Sequence, residues 1–283
     1  MRLYRKILAC IDGSEESFHA FEEAVKFSKE IGITVFALTV APPYHGDISL
    51  IGIGLSLEEL NKPYKDTLSR AKDIANKYGV LVKPLYEEGE PFEKIVDISE
   101  EISADLIVMG KKGMSALREV LMGSVTERVI GYSNIDVLIV PKDSTIKWNK
   151  VLVAVDVSPY GERICGRAIE IAKNFGSELN VISVVEVPSE VFAIKPEIFD
   201  THLEKIKQYL KNLETKFLKE NILTNTIIEE GEPYRKIMET AEKIKADLII
   251  IGSHGRTGLK RLLMGSTCQR VTGLSKVPVL VVK

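Results

Sequence analysis

One stretch of this 283-residue chain occurs twice, and that repeat constrains the fold more than any other feature. ADLIVMGKKGMSALREVLMGSVTER at 104–128 matches ADLIIIGSHGRTGLKRLLMGSTCQR at 246–270, and 12 of the 25 positions are identical. Shorter matches occur in the same order in both halves, KILACIDGS with KVLVAVDVS and EEGEPFEKI with EEGEPYRKI. The sequence therefore predicts two copies of one structural unit.

Within each copy, short apolar strands alternate with segments of helical periodicity. In the first copy KILACI, TVFALTV, VLVKPLY, ADLIVMG and DVLIV predict five strands with four helices between them. The first and fourth strands are nearly continuous apolar runs, which is typical of central parallel strands that are covered on both faces. The sequence thus predicts two tandem α/β domains, each a doubly wound, Rossmann-like parallel sheet of five strands in the order 3-2-1-4-5.

The repeat also sets the expected domain boundaries. We expect the first domain at residues 1–141, a polar linker at 142–149 and the second domain at 150–283. Trp148 of the linker is expected to pack one half onto the other. The apolar, glycine-punctuated insertion that includes residues 47–57 is open to three interpretations: a lid, a contact surface or the start of a helix.

Composition narrows the classes of function. A hydrophobic content of 45% and a charged content of 28% are those of a globular protein, and a net charge of −2 gives no attraction to nucleic acid or to an anionic membrane. No apolar run approaches the ~18 residues of a membrane span. The apolar stretch near the start is too short for a signal peptide, and three widely spaced cysteines indicate buried reduced thiols. These features predict a cytoplasmic protein.

Two repeated elements are expected to meet where ligands bind in such sheets, beyond the carboxyl ends of strands one and four. Asp12 follows strand one in the first copy, and Asp156 follows it in the second. The segments after strand four share the spacing G-x2-G-x9-G-S. The first glycine permits close approach of a sugar or phosphate, and the second permits a turn that aims N–H groups inward.

The last glycine of this pattern precedes helix four, whose N-terminal N–H groups favour an anion. Its neighbouring serine suits either a helix cap or a phosphate donor. The aspartate suits a ribose hydroxyl or an exocyclic amine, or else a cap for helix one. The convergence of all these parts in both copies favours ligand binding.

Other sites are not supported by the sequence. The chain has neither a P-loop nor a G-x-G-x-x-G after strand one, so a nucleotide would have to be held by the loop after strand four. The four histidines share no metal-ligand spacing, and no metal site or catalytic residue is predicted. The paired glutamates at 87–88 and 229–230 are expected to lie in a solvated loop away from the site.

The Asp-containing turns, the glycine spacing and the endings DVLIVPK and PVLVVK together resemble the universal stress protein family, here as a tandem pair. The resemblance covers essentially the whole chain, and the glycine spacing is that of the family's ATP-binding branch. It implies one adenine nucleotide per domain, as ATP, ADP or AMP, with or without Mg²⁺. It also implies that strand five (136–140 and 278–282) pairs the two domains into an internal pseudo-dimer, and it leaves a homodimer of tandem chains open.

The resemblance assigns roles to residues by position. Aspartate contacts the ribose or adenine, the end of strand two contacts adenine through its backbone, the first glycine lies beside the ribose, and the remaining residues hold phosphates. In the first domain these residues are Asp12, Val40, Gly110, Gly113, Gly123, Ser124 and Val125. In the second they are Asp156, Val184, Gly252, Gly255, Gly265, Ser266 and Thr267.

This sequence departs from the family pattern at three places. Lys111-Lys112 stands where the second copy has Ser253-His254, Val157 replaces Gly13, and Thr267 replaces Val125. The lysines would either strengthen phosphate binding or point into water. The valine is expected to be tolerated, because the preceding aspartate makes the contact.

These observations predict a stress-response or signalling protein in which ATP is mainly a bound effector. The alternatives are a slow ATPase or phosphotransferase, which would need a positioned base, and a scaffold that binds proteins without a ligand. An enzyme is not the expected outcome, because no acidic residue other than the aspartate recurs near the phosphate end.

Overall fold

A computed structural model describes residues 3–43, 57–113, 122–186, 196–254 and 264–283. The insertion at 47–57, except for its last residue, and Gly255 lie outside the described residues. The chain divides into two compact units, one comprising Tyr4–Ser144 and the other containing Thr145–Lys283. The unit of Tyr4–Ser144 is the first domain, and the unit that contains Thr145–Lys283 is the second.

Strands and helices alternate along the described residues of the first domain. Its elements in chain order are β1 (Lys6–Cys10), α1 (Glu15–Ile31), β2 (Thr34–Ala41), α2 (Leu57–Lys77), β3 (Val82–Glu88), α3 (Pro91–Glu101), β4 (Leu106–Gly110), α4 (Ser124–Tyr132) and β5 (Val137–Val140).

The second domain repeats that order. Its elements are β6 (Lys150–Ala154), α5 (Pro159–Phe175), β7 (Glu178–Val185), α6 (Pro196–Lys219), β8 (Thr224–Glu230), α7 (Pro233–Ile244), β9 (Leu248–Gly252), α8 (Ser266–Leu274) and β10 (Val279–Val282).

Each domain contains a parallel five-stranded sheet in the predicted order. The first sheet runs β3-β2-β1-β4-β5 and the second β8-β7-β6-β9-β10. Within each domain the described strand pairs are parallel, and Ile7 of β1 lies opposite both Val35 of β2 and Leu106 of β4. Because the order reverses beside β1 and β6, the crevices lie between β1 and β4 and between β6 and β9. The predicted fold class is confirmed. Pairing of the domains through strand five stays a prediction.

Burial explains why these segments are strands. Ile107 of β4 and Leu152 of β6 are fully buried, as expected of central strands that helices cover on both faces. The edge strand β3 is mostly half-exposed and contains Pro84, which a central strand would not accommodate.

Local chemistry sets the ends of the helices. The Ser14 hydroxyl accepts from the Ser17 N–H and caps α1, and Gly32 ends that helix with φ of 65°. Ser158 and Gly176 do the same for α5. These caps fix where the first helix of each domain starts relative to the aspartate just before it.

The structure describes the surroundings of the three cysteines and of Trp148. All three cysteines are free and buried, as predicted. Trp148 stacks on Phe175 within its own domain, with ring centroids 4.8 Å apart. The expectation that it packs one half onto the other stays a prediction. No helix in the described part of the chain combines the length and apolarity needed to cross a membrane.

Candidate functional site

A cavity lies at the predicted crevice of each domain. Its volume is ≈ 580 Å³ in the first domain and ≈ 340 Å³ in the second. The larger, in the first domain, is lined by all seven residues that the sequence assigns there, namely Asp12, Val40, Gly110, Gly113, Gly123, Ser124 and Val125. The smaller is lined by six of the seven predicted for the second domain, Asp156, Val184, Gly252, Gly265, Ser266 and Thr267. The seventh, Gly255, is outside the described residues. The fold thus brings the repeated residues together, in each domain around one cavity.

The glycine that ends strand four has a packing role that the sequence did not reveal. A Cβ on Gly110 would lie 3.0 Å from the backbone carbonyl of Glu16, at the start of α1. A Cβ on Gly252 would lie 3.0 Å from Ile164 of α5. These glycines let the first helix of each domain pack closely over strand four, and this holds the helix start at the cavity.

The second glycine of the first domain faces the aspartate. A Cβ on Gly113 would lie less than 3.0 Å from Asp12 Oδ2, which is closer than a Cβ atom comes to a non-bonded oxygen in real proteins. The close approach brings the ends of β1 and β4 together at the carboxylate. Sequence reasoning expected a turn here, and the structure adds direct contact with the side chain across the crevice.

Asp12 is held by its own turn. Its Oδ1 accepts from the Ser14 N–H at 3.0 Å and from the Ser14 hydroxyl at 2.7 Å. The Asp12 N–H donates to Ser17 Oγ at 3.3 Å. Gly13 makes this turn possible with φ of 92°, a conformation that other residues rarely adopt. Ser14, and not Asp12, therefore caps α1, and the aspartate braces the capping serine.

The corresponding turn of the second domain is built differently. Val157 replaces Gly13 and does not take a left-handed conformation. The Ser158 N–H donates to the backbone carbonyl of Asp156 at 2.9 Å, and the Ser158 hydroxyl donates to the Asp156 carboxylate. This substitution, which the sequence predicts to be tolerated, changes how the aspartate is held.

Neighbouring positions compensate for this change. The Asp156 carbonyl leans over α5, so that a Cβ on Gly161 would fall under 3.0 Å from it. Gly161 takes the place of Ser17, and the space beside it is filled by the phenol of Tyr209, 2.8 Å from that same Cβ position. Burial raises the pKa of Tyr209, as do nearby Cys165 and Asp156. Gly161 thus leaves room for both the Asp156 carbonyl and the Tyr209 phenol.

The start of helix four differs in one respect from the expectation. Gly123 and Gly265 are the N-caps, without any side-chain cap, and the serines occupy the first helical position. The N–H of Gly123 donates to the Lys111 carbonyl at 3.0 Å, and that of Gly265 to the Ser253 carbonyl at 2.9 Å. Ser124 and Ser266, which follow these glycines, line the cavities.

Gly123 also leaves the preceding turn uncovered. A Cβ there would lie 3.4 Å from the Gly113 nitrogen, in ordinary contact, and a larger side chain would spread over that amide. The backbone of Gly123 has φ of −69° and ψ of 143°, which any residue can adopt. Its lack of a side chain is therefore a matter of access to the cavity, not of backbone strain.

The turn after strand four carries different side chains in the two domains. In the first, the Lys112 N–H donates to Glu16 Oε2 at 2.9 Å, and burial lowers the pKa of the adjacent Lys111. In the second, the Ser253 hydroxyl lies 3.0 Å from His254 Nδ1, and Tyr160 replaces Glu16, with ring centroids of Tyr160 and His254 6.3 Å apart. Glu16 and Lys112 of the first domain are thus replaced together by two residues with aromatic rings, Tyr160 and His254.

Apolar side chains form part of the lining of each cavity. Val40 and Val184 lie at the ends of β2 and β7, as predicted for contacts to a flat ring. Sequence reasoning missed Tyr64 of α2, whose pKa is raised by burial and by the nearby Asp12. It also missed the Pro-Ile pairs of the third helices, Pro91 with Ile95 and Pro233 with Ile237. The repeated motif GEPxxKI was the signal for these pairs, since both copies contain it.

The paired glutamates support the helices beside the cavities. Glu87 pairs with Lys94 at 3.4 Å, and Glu229 pairs with Lys236 at 3.9 Å. Both pairs join the end of strand three to helix three. Neither glutamate lines the cavity of its domain. In the described part of the chain no three His, Cys, Asp or Glu side chains cluster closely enough to hold a metal ion.

Comparison with known proteins identifies the family. The model of the universal stress protein family matches residues 3–141 and again residues 147–283. A universal stress protein of Methanocaldococcus jannaschii is 36% identical over 147 residues, which make up 50% of this chain and 84% of that protein.

A solved structure that spans the whole chain agrees with that match. The crystal structure of a universal stress protein from Archaeoglobus fulgidus covers 100% of this chain and 98% of its own, with 28% identity and a TM-score of 0.76. A universal stress protein solved in complex with cAMP covers 49% of this chain and 98% of its own, with 26% identity and a TM-score of 0.40. The present chain belongs to the universal stress protein family and carries the family's fold twice in tandem.

Proposed function

We propose that each domain binds one adenine nucleotide and that bound ATP acts as an effector. The observation that carries this proposal is the convergence of the repeated Asp, Gly and Ser residues on one cavity in each domain. In such a mechanism the ligand shifts the population of two states by binding one of them more tightly. The proposed setting is a cytoplasmic stress or signalling response, which the buried free cysteines favour.

The chemistry of the cavities suits the parts of a nucleotide. Apolar side chains at the ends of β2 and β7 offer a slot for the base, with backbone groups of Val40 and Val184 beside it. The carboxylates of Asp12 and Asp156 are acceptors for ribose hydroxyls. Phosphates would lie at the uncapped starts of α4 and α8, where N–H groups and the helix dipole favour negative charge. We propose a Mg²⁺ ion only as a companion of the phosphates.

Two matched variants test this assignment. Gly123→Val and Gly265→Val each place a branched side chain at a helix N-cap whose backbone tolerates it, and the first covers the Gly113 amide. We call them the first-site and second-site blocking variants. Both are expected to fold like the native chain.

The first measurement is made on the native protein. Heating it and identifying the released nucleotide should yield an adenine nucleotide, and added ATP should raise the melting temperature. In the double blocking variant ATP should leave the melting temperature unchanged. A native protein that releases no nucleotide and gains no stability from ATP would favour a ligand-free scaffold, and steady release of ADP from added ATP would favour a slow ATPase.

A further inference from the structure

The two cavities differ in charge at equivalent positions. The described lining of the first contains one carboxylate, Asp12, and one lysine, Lys112. That of the second contains two carboxylates, Asp156 and Glu186, and neither lysine nor arginine. Most of the other lining positions of the two cavities are equivalent in the repeat, so this contrast arises from substitutions and not from a different architecture.

Two substitutions produce this contrast. His254 takes the place of Lys112 in the turn after strand four, where the phosphates are proposed to bind. Glu186 takes the place of Pro42 just beyond the second strand of the sheet. The first change removes a positive charge and the second adds a negative one, so both make the second cavity less favourable for a polyanion.

The negative charge of Glu16 does not cancel the positive charge that Lys112 brings to the first cavity. Its carboxylate is engaged by the backbone N–H of Lys112, at 2.9 Å, and the half-buried Lys111 lies close by. The acid is therefore accompanied by two lysines at the same turn. In the second domain the corresponding positions hold Tyr160, Ser253 and His254, so no acid and no lysine remain.

We infer that the two sites select nucleotides by phosphate number. The first site favours a nucleoside triphosphate, and the second accepts nucleotides with fewer phosphates, such as AMP, with little preference for ATP. This inference rests on the proposed nucleotide binding. The tandem chain therefore carries two different adenine nucleotides at once and does not have two equal copies of one site.

The experiment measures ATP and AMP affinities at each site alone. The second-site blocking variant reports the first site, and the first-site blocking variant reports the second. A unit charge at roughly 6 Å in a medium between protein and water changes an affinity by about tenfold. The ATP-to-AMP affinity ratio is therefore expected to be at least about tenfold higher at the first site than at the second.

Single substitutions should then change the ATP-to-AMP affinity ratio of each site. Lys112→His should lower the ratio at the first site, and Glu186→Gln should raise it at the second, each by several-fold. Lys77→His and Glu178→Gln are matched controls, because Lys77 lies in the last turn of α2 and Glu178 at the opposite end of β7 from Glu186. The controls should leave both ratios unchanged.

Three outcomes would overturn the inference. Equal ratios at the two sites would do so, as would ratios that the substitutions do not move. A higher ratio at the second site would also contradict it and would point to the basic residues Arg256, Lys260 and Arg261 of the segment between Gly255 and Met264. If the native chain binds neither nucleotide, the proposed function fails instead, so the two failures are distinguishable.

Discussion

Replacing Gly113 by alanine is expected to damage both the fold of the first domain and its ligand site. The new Cβ would fall under 3.0 Å from Asp12 Oδ2, so the carboxylate must move. Its hydrogen bonds from the N–H and hydroxyl of Ser14, at 3.0 and 2.7 Å, would weaken or break. At about 1 kcal/mol net for each bond, the loss is about 1–2 kcal/mol of stability.

The substitution should lower both the melting temperature of the first domain and the ATP affinity of its site. For a domain of this size we expect the melting temperature of the first domain to fall by about 3–8 °C. Because the displaced carboxylate is the proposed ribose acceptor, the affinity of the first site for ATP should fall by about tenfold or more. Calorimetric melting without ligand gives the first quantity, and titration of ATP into the second-site blocking variant background gives the second.

Gly123→Ala is the matched control. Its Cβ would make an ordinary 3.4 Å contact, and its backbone conformation suits any residue. It should therefore leave the stability within about 0.5 kcal/mol of the native value. If Gly113→Ala melts at the native temperature and keeps the native affinity, the close approach of Gly113 to Asp12 is not what shapes the site.

Three further predictions concern caps, the aspartate and a thiol. Ser14→Ala removes the cap of α1 and should destabilise the first domain by about 1 kcal/mol, measured by urea denaturation; an unchanged midpoint would contradict the capping role. Asp12→Asn should weaken ATP at the first site alone, as seen by titration, whereas equal weakening at both sites would show that the effect is not local. Burial raises the pKa of the Cys268 thiol from its ordinary 9.0 to about 12. The buried thiol therefore contributes stability that is fully present below pH 9 and is lost as pH rises toward 12; a Cys268→Ala variant whose stability falls as steeply over that range would exclude this thiol as a cause.

The repeat, the strand order and the convergence of the site could be predicted from the sequence because each depends on local patterns. Apolar runs and caps such as Ser14 and Gly32 determine the elements, and the switch-point rule then places Asp12 opposite the glycine-rich segment. These inferences need no knowledge of how side chains pack.

Other features depend on contacts between distant parts of the chain. Gly110 was predicted to admit a ligand, but its lack of a side chain lets α1 pack against β4. The exchange of Gly13 for Val157 is expected from the sequence to be tolerated, but the structure places the Asp156 carbonyl against Gly161 of α5 and the Tyr209 phenol in the space beside it. Tyr64 carried no sequence signal, because its place at the cavity depends on how α2 lies over the sheet.

The most direct test of the account is the stoichiometry of ATP binding by isothermal titration calorimetry. We predict two ATP molecules per native chain at saturating concentration, one in each single blocking variant and none in the double variant. A stoichiometry that remains at two in the double variant, or a native chain that binds no ATP, would contradict the claim that the two glycine-lined cavities are nucleotide sites.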